Sequence, residues 1–227
     1  LLMDFSLRNS SLLITETKNL FDHYKSLFPN KNIIVYPNGV DLSQNLDHVK
    51  LSIKKEPYIL FTGRLSYLKG IHTLAKIFSL LKNHSIKLVV IGSDSGDGSV
   101  KKAKNIFKKN ELDERVLWMK TINNRELLYK YYKEAKITLL TSSDEGLPNR
   151  MCESIALGTP VISFDVGLVS QVLNKKIGYV IKPFNLASYA KSLDNFLSDS
   201  REIKKLSKNC LEFGKNNLDD KKNLFEL

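Results

Sequence analysis

Residues 141–162 read TSSDEGLPNRMCESIALGTPVI, and this stretch decides the fold. An apolar run over residues 137–141 predicts a buried strand that enters a short loop carrying Glu145. Pro148 then opens a helix, which Gly158 and Pro160 close before a second apolar run at Val161. Pro148 suits the first helical position because its missing N–H is not needed there. The free N–H groups near Gly146 and Leu147 are thereby left facing outward, as a ready site for an anion such as phosphate. Glu145 lies just before this site, and Glu153 lies five residues into the helix, roughly 7–8 Å further along its axis. Carboxylates accept hydrogen bonds from paired hydroxyls, so the arrangement fits a sugar and a ribose on either side of a diphosphate on the helix dipole. Alone, the same two residues fit an ordinary loop acid and an ordinary surface Glu.

Working outward, the same rhythm recurs. Residues 58–62, 87–91, 116–119 and 179–181 read as strands. Between and after them, apolar positions at three-and-four spacing mark helices: Ile71, Leu74, Ala75 and Phe78; Leu127, Leu128, Tyr131 and Tyr132; Leu186, Tyr189, Ala190 and Leu193. Strands alternating with helices this closely cannot pair as hairpins, because each helix returns the next strand parallel to the last. The expected fold class is α/β, a doubly wound Rossmann-like parallel sheet that binds ligands at the carboxyl ends of its strands.

Before this unit, residues 12–15 and 33–36 read as short strands flanking an amphipathic helix, and residues 42–56 lose all pattern and read as a linker. The expected organisation is an end piece and linker over 1–50, a ligand-binding domain over 51–200, and C-terminal helices over 201–227.

With 42% hydrophobic and 26% charged residues, the chain has the balance of a globular protein that buries a core. No apolar run approaches the roughly 18–20 residues of a membrane span, and no signal peptide opens the sequence, so a cytoplasmic protein is expected. Cys152 and Cys210 stand far apart without metal-type spacing, and the four histidines are scattered, so no metal is expected. The formal charge of +11 raises nucleic-acid binding as a question. The lysines are spread along the chain (Lys54, Lys55, Lys101 to Lys109, Lys175, Lys176, Lys204 to Lys208) and no nucleic-acid motif accompanies them. Solvated faces explain them, and nucleic acid is not an expected partner. Weak peripheral contact with an anionic membrane is a secondary expectation. The acidic stretch at Asp94-Ser95-Gly96-Asp97-Gly98 reads as a turn rather than a cation loop. Trp118, Tyr131 and Tyr132 read as core.

A second group of charges lies at another strand end. Gly63-Arg64-Leu65 and Lys69-Gly70 fall between a strand and a helix start, placing two cations at the rim of the same sheet. An Arg fork grips phosphate oxygens and a Lys neutralises another as a point charge. Neither a P-loop nor G-x-G-x-x-G is present. Taken together, Gly-Arg-Leu, then Lys-Gly, then Glu-Gly-Leu-Pro with a second Glu after seven intervening residues, Ala156, Gly158, Pro160 and Val161 resemble a known pattern. It is the donor-site signature of the large retaining glycosyltransferase family, glycosyl transferases group 1, of GT-B fold. Tyr36 to Asp41 resembles the interdomain connection of these enzymes and Val89 to Gly92 the turn near the nucleobase. The sequence departs from the pattern at Leu168, Gln171 and Lys120, where members often carry Gly, Glu and Gly.

The resemblance implies an enzyme, a hexosyltransferase-type glycosyltransferase that moves a sugar from a nucleotide-diphosphate sugar, such as a UDP- or GDP-sugar, to a glycan or lipid-linked acceptor with retention and no metal or other cofactor. Gly63, Arg64, Lys69, Glu145, Gly146, Leu147 and Glu153 are then the donor-binding residues, with Arg64, Lys69 and Glu145 catalytic. Arg64 and Lys69 would face the leaving diphosphate, Glu145 the donor sugar and Glu153 the ribose diol. A non-catalytic nucleotide-sugar-binding partner subunit, or a sugar-nucleotide epimerase of similar fold, are the alternatives. The fifty or so residues before the repeat are too few for a full acceptor-binding domain. The chain by itself is therefore expected to bind nucleoside diphosphate without transferring sugar, and the last fifteen residues are expected to form a helix crossing back toward the N-terminal side.

Overall fold

Tyr58-Ile59-Leu60-Phe61-Thr62 is almost wholly apolar, and all five of its residues are buried. A strand covered on both faces has this composition, and a parallel sheet with helices on either side covers its strands in that way. In the computed structural model, which describes residues 2–36, 38–44, 46–51 and 56–219, this strand, β3 (Tyr58–Thr62), is an inner strand of a six-stranded parallel sheet. Pro37, the Lys54-Lys55 pair and the end of the expected C-terminal helix (220–227) lie outside the described residues, as do the side chains of residues 2–4.

The other strands of this sheet are β4 (Lys87–Ile91), β5 (Val116–Met119), β6 (Thr138–Leu140), β7 (Val161–Phe164) and β8 (Gly178–Ile181), in the order β5-β4-β3-β6-β7-β8. The chain starts in the middle, steps outward through β4 and β5, then returns beside β3 and steps outward the other way. The reversal between β3 and β6 opens a crevice at the carboxyl ends of these two strands, the ligand position of doubly wound sheets. Side chains alternate across the sheet. Ile59, Phe61, Leu88 and Val90 enter one core layer, with α3 (Ile71–Ser79), α4 (Ser99–Lys109) and α8 (Leu186–Ser198) packed on it. Leu60, Val89, Ile91 and Leu140 enter the other, under α5 (Arg125–Glu134) and α6 (Asn149–Ala156).

The N-terminal segment forms its own two-stranded parallel sheet, β1 (Leu13–Thr15) with β2 (Ile33–Val35), joined by α2 (Lys18–Leu27). Thr17 caps α2 by accepting from the Leu20 N–H. Two helices had no counterpart in the periodicity: α1 (Leu2–Asn9) and the one-turn α7 (Val169–Val172). The long α9 (Ser200–Asn217) starts at Asp199, whose carboxylate accepts from the N–H groups of Arg201 and Glu202, and packs across α6. Beyond its end, the Leu218 carbonyl accepts from the Val40 N–H at 2.8 Å, which ties the C-terminal helix to the N-terminal segment. No helix among the described residues is long and apolar enough to cross a membrane.

Candidate active site

The carboxyl end of β3 delivers the first group. Gly63 has φ +114°, a region that suits glycine, and a Cβ there would stand 3.0 Å from a guanidinium nitrogen of Arg150. Arg64 follows, exposed and without a hydrogen-bond or ion-pair partner among the described residues. Five residues on, Lys69 precedes Gly70, which starts α3 with φ +73° and lies so close to β6 that a Cβ would fall 2.0 Å from the Thr141 carbonyl oxygen. The Thr141 hydroxyl donates to the carbonyls of Lys69 and Gly70 at 3.2 and 2.9 Å. This close approach carries Lys69 across the switch point to the loop after β6.

There Lys69 meets Glu145. Its ammonium donates to Oε2 at 2.8 Å, while Oε1 accepts from the Ser142 hydroxyl at 2.7 Å and from the Arg150 guanidinium. Arg150 also donates to the Thr62 carbonyl at 2.9 Å and to Ser142 Oγ at 2.7 Å. The side chains of Glu145 and Arg150 are only 7% and 9% exposed, against 26% for Lys69. Burial works against the Glu145 charge, but Arg150, Lys69 and Ser142 outweigh it and hold the carboxyl below the usual range. The family resemblance implies that Lys69 and Glu145 face different parts of a ligand. In the structure they face each other, because a half-buried ammonium takes the nearest carboxylate as its counter-charge. Sequence reasoning missed Arg150. The available signal was a cation next to the apolar run Met151-Cys152 and one turn before Ile155 and Ala156, on the side of the helix that faces the fold, where its charge needs an acceptor.

The helix start differs from expectation by one residue. Pro148 has ψ 117° and stands as the extended residue before α6, its carbonyl accepting from the Met151 N–H, so Asn149 is the first helical residue. The N–H groups of Gly146 and Leu147 still have no acceptor among the described residues. Around them the loop is fixed by contacts to its carbonyls. Leu168 N–H donates to Gly146 O at 3.3 Å and Asn38 Nδ2 to Leu147 O at 2.9 Å.

Glu153 is half-buried, not a solvent-facing helix residue. Burial pushes its carboxyl up, against a hydrogen bond from Tyr132 and the charge of Arg125. Tyr132, expected only as core, is indeed buried, yet its hydroxyl lies 2.6 Å from Thr62 Oγ1 and it lines the cavity. Tyr131 is a core residue alone. Arg64, Lys69, Glu145, the Gly146-Leu147 amides and Glu153 all line one cavity of about 760 Å³ at the switch point. Glu16 and Asn38 close it from the N-terminal segment. Among the described residues, no three His, Cys, Asp or Glu side chains stand together as a metal site. Burial lifts the thiols of Cys152 and Cys210 to about 12, which leaves both protonated and unreactive at neutral pH.

Cations, free amides and two carboxylates converge at the switch point of a doubly wound sheet. The chain belongs to the glycosyl transferases group 1 family, whose sequence profile matches residues 43–216. It is 29% identical over 205 residues to an uncharacterized glycosyltransferase of Methanocaldococcus jannaschii, covering 84% of this chain and 52% of that protein. It is 25% identical over 172 residues to the capsular polysaccharide biosynthesis glycosyltransferase CapM of Staphylococcus aureus, covering 71% and 44%. Among solved structures, sucrose-phosphate synthase from Thermosynechococcus elongatus superposes with a TM-score of 0.78 at 22% identity, over 97% of this chain and 57% of that one. Anabaena HepE, in complex with UDP and glucose, gives 0.79 at 16% identity, over 98% and 63%. The architecture is that of the C-terminal domain of GT-B glycosyltransferases, and the chain spans about half the length of the curated relatives it matches.

Proposed function

We propose that this chain is the donor-binding half of a glycosyltransferase that moves a sugar from a nucleotide-diphosphate sugar to a glycan or lipid-linked acceptor with retention at the anomeric carbon. The observation that carries the reading is the convergence of Arg64, Lys69, Glu145 and Glu153 on one cavity at the switch point. Arg64 and Lys69 neutralise the diphosphate, most strongly when it leaves and gains charge, which is electrostatic catalysis by groups already in place. The amides of Gly146 and Leu147 take phosphate or sugar oxygens at the start of α6. Glu153, eight residues after Glu145 on the buried side of α6, accepts from the ribose diol. Glu145 orients the donor sugar through an oxygen shared with Lys69 or freed by it. The HepE structure was solved with UDP and glucose, which supports a UDP-sugar as the first donor to try.

Isothermal titration of the chain with UDP, GDP and their glucose conjugates tests the reading. Binding of one diphosphate series at low salt is expected, and absence of binding by all of them overturns the donor site. Retention is tested on the full-length enzyme by the anomeric configuration of its product, which should match that of the donor.

A further inference from the structure

The most buried cation of the cavity, Arg150, has no part in the donor reading. We infer that Arg150 is a positioning residue: it is the permanent counter-charge of Glu145, which frees Lys69 to leave that carboxylate for the donor's phosphates. The inference rests on the proposed donor site and adds a handover to it.

The two cations around Glu145 are held in different ways. Arg150 is fixed on three sides, by the Thr62 carbonyl, the Ser142 hydroxyl and Glu145 Oε1, with its guanidinium carbon 5.8 Å from the centre of the Phe61 ring. The glycine at position 63 leaves the room it occupies, since a Cβ there would stand 3.0 Å from its terminal nitrogen. It cannot turn toward a ligand without abandoning a buried carbonyl and a buried hydroxyl. Lys69 is the reverse case. Its ammonium has the Glu145 Oε2 contact at 2.8 Å as its only side-chain bond among the described residues, and it is about three times as exposed as Arg150. A flexible ammonium can swing between two anions, whereas a forked guanidinium bound at three points stays.

The consequence is electrostatic. A carboxylate as enclosed as Glu145 must keep a cation when it ionises. With Arg150 in place, removal of Lys69 still leaves Glu145 paired and bonded to Ser142. Without Arg150, Lys69 is its last cation, and a diphosphate could recruit Lys69 only by stranding a buried charge. The other charges near the carboxylate do not replace Arg150. Arg64 on the β3 loop, Glu153 further along α6 and Glu16, whose carboxylate oxygen lies 3.8 Å from a Cβ built on Gly146, share the cavity, and Asp144 is exposed beside it, but none is hydrogen-bonded to Glu145 among the described residues.

The test uses Arg150→Met, Glu145→Gln and the double variant, with UDP (or GDP, if that is the diphosphate bound) as probe. Arg150→Met should lower diphosphate affinity about tenfold, as a cation now held elsewhere is lost to the ligand. Adding Glu145→Gln should restore most of that loss, because Lys69 no longer has a carboxylate to stay with. A scaffolding role for Arg150 gives the opposite result, with the double variant no better than the single one, and that outcome overturns the inference. A second readout needs no ligand. In the chain labelled with ¹³C at Glu carboxyls, the Glu145 titration midpoint should rise by about one pH unit or more in Arg150→Met, since an adjacent opposite charge lowers a carboxyl by about 1–3 units. An unmoved midpoint also overturns the inference. Arg150→Lys, which keeps the charge without the fork, should show both effects in smaller measure and serves if Arg150→Met does not fold. Failure of the unmodified chain to bind either diphosphate sinks the donor reading and the handover with it, while the carboxyl titration still decides whether Arg150 governs Glu145.

Discussion

The phenol oxygen of Tyr132 lies 2.6 Å from the hydroxyl of Thr62, joining helix α5 to the carboxyl end of strand β3 inside the sheet's second core layer. The same phenol favours the ionised form of Glu153, the carboxylate that the donor reading assigns to the ribose, so a buried tyrosine tied to the central strand bears on that carboxylate. Tyr132→Phe should cost about 1 kcal/mol of stability, the usual net value of an internal hydrogen bond. It should also move Glu153 further up, because the phenol favours its ionised form. Urea unfolding reads the first effect and carboxyl NMR titration the second. A Glu153 midpoint that stays put would show that the phenol has no hold on this carboxylate.

Glu153 sets its own pH dependence. The folded chain holds the Glu153 proton more tightly than the unfolded chain, since burial raises the folded value. Ionisation therefore costs stability, a cost absent below the ordinary Glu range and complete once pH has passed the raised value. In the proposed donor site, the ionised form is the one that accepts from both ribose hydroxyls. Diphosphate binding should fall as pH drops through the raised Glu153 value, while Glu145, held low by its cations, is still ionised. Glu153→Gln should flatten this limb, and Glu153→Ala should weaken binding by about 1.5–3 kcal/mol, the range for a hydrogen bond to a charged group. Calorimetry across pH decides, and unchanged affinity in Glu153→Ala removes the residue from the site.

How much of this was legible without coordinates follows from where each determinant sits along the chain. The sheet was, because β3, β4, β6 and β7 are apolar runs and the intervening helices carry their stripes locally. The convergence of Gly63-Arg64 and Glu145-Gly146 was also legible, since strand ends of a doubly wound sheet meet at the switch point. Pairings across that point were not. The Lys69 contact with Glu145 depends on Gly70 packing against Thr141, and the burial of Arg150 depends on the room left at Gly63. Tyr132 sits in an apolar helical stripe like any core tyrosine, and nothing in its own neighbourhood tells that its hydroxyl meets Thr62. Glu16 reaches the cavity only because the N-terminal segment lies against the Gly146-Leu147 loop, held there by the Asn38 bond to the Leu147 carbonyl.

Gly167 is a strong constraint on the Glu145 loop. It has φ +56°, and a Cβ there would fall 1.6 Å from the Glu145 carbonyl oxygen. Gly96 has φ +77° but open space around it, so it isolates the backbone cost from the steric one. Gly96→Ala should lose about 1 kcal/mol, the left-handed penalty alone. Gly167→Ala should lose about 2–4 kcal/mol, because the loop must also shift. Equal losses in thermal unfolding would show that the loop yields freely. Unequal losses accompanied by weaker sugar-nucleotide binding would tie the Glu145 backbone to donor recognition.

Arg64 separates binding from stability. It is exposed and has no partner among the described residues, so Arg64→Ala should leave stability within about 0.5 kcal/mol, as surface changes do. Arg64 lines the cavity, and if the donor reading holds, affinity for diphosphate at low salt should fall about tenfold, the size of one charge-assisted contact. Screening then distinguishes it from Lys69. A contact made by an exposed guanidinium weakens as the Debye length shrinks to about 10 Å at 0.1 M salt, whereas one made by a half-buried ammonium is shielded less. The salt dependence of diphosphate binding should accordingly be shallower in Arg64→Ala than in the unmodified chain, and the two affinities should converge as salt is raised. Parallel salt curves would mean that the Arg64 contact is enclosed when the ligand is bound, and an unchanged affinity at every salt would remove Arg64 from the donor site.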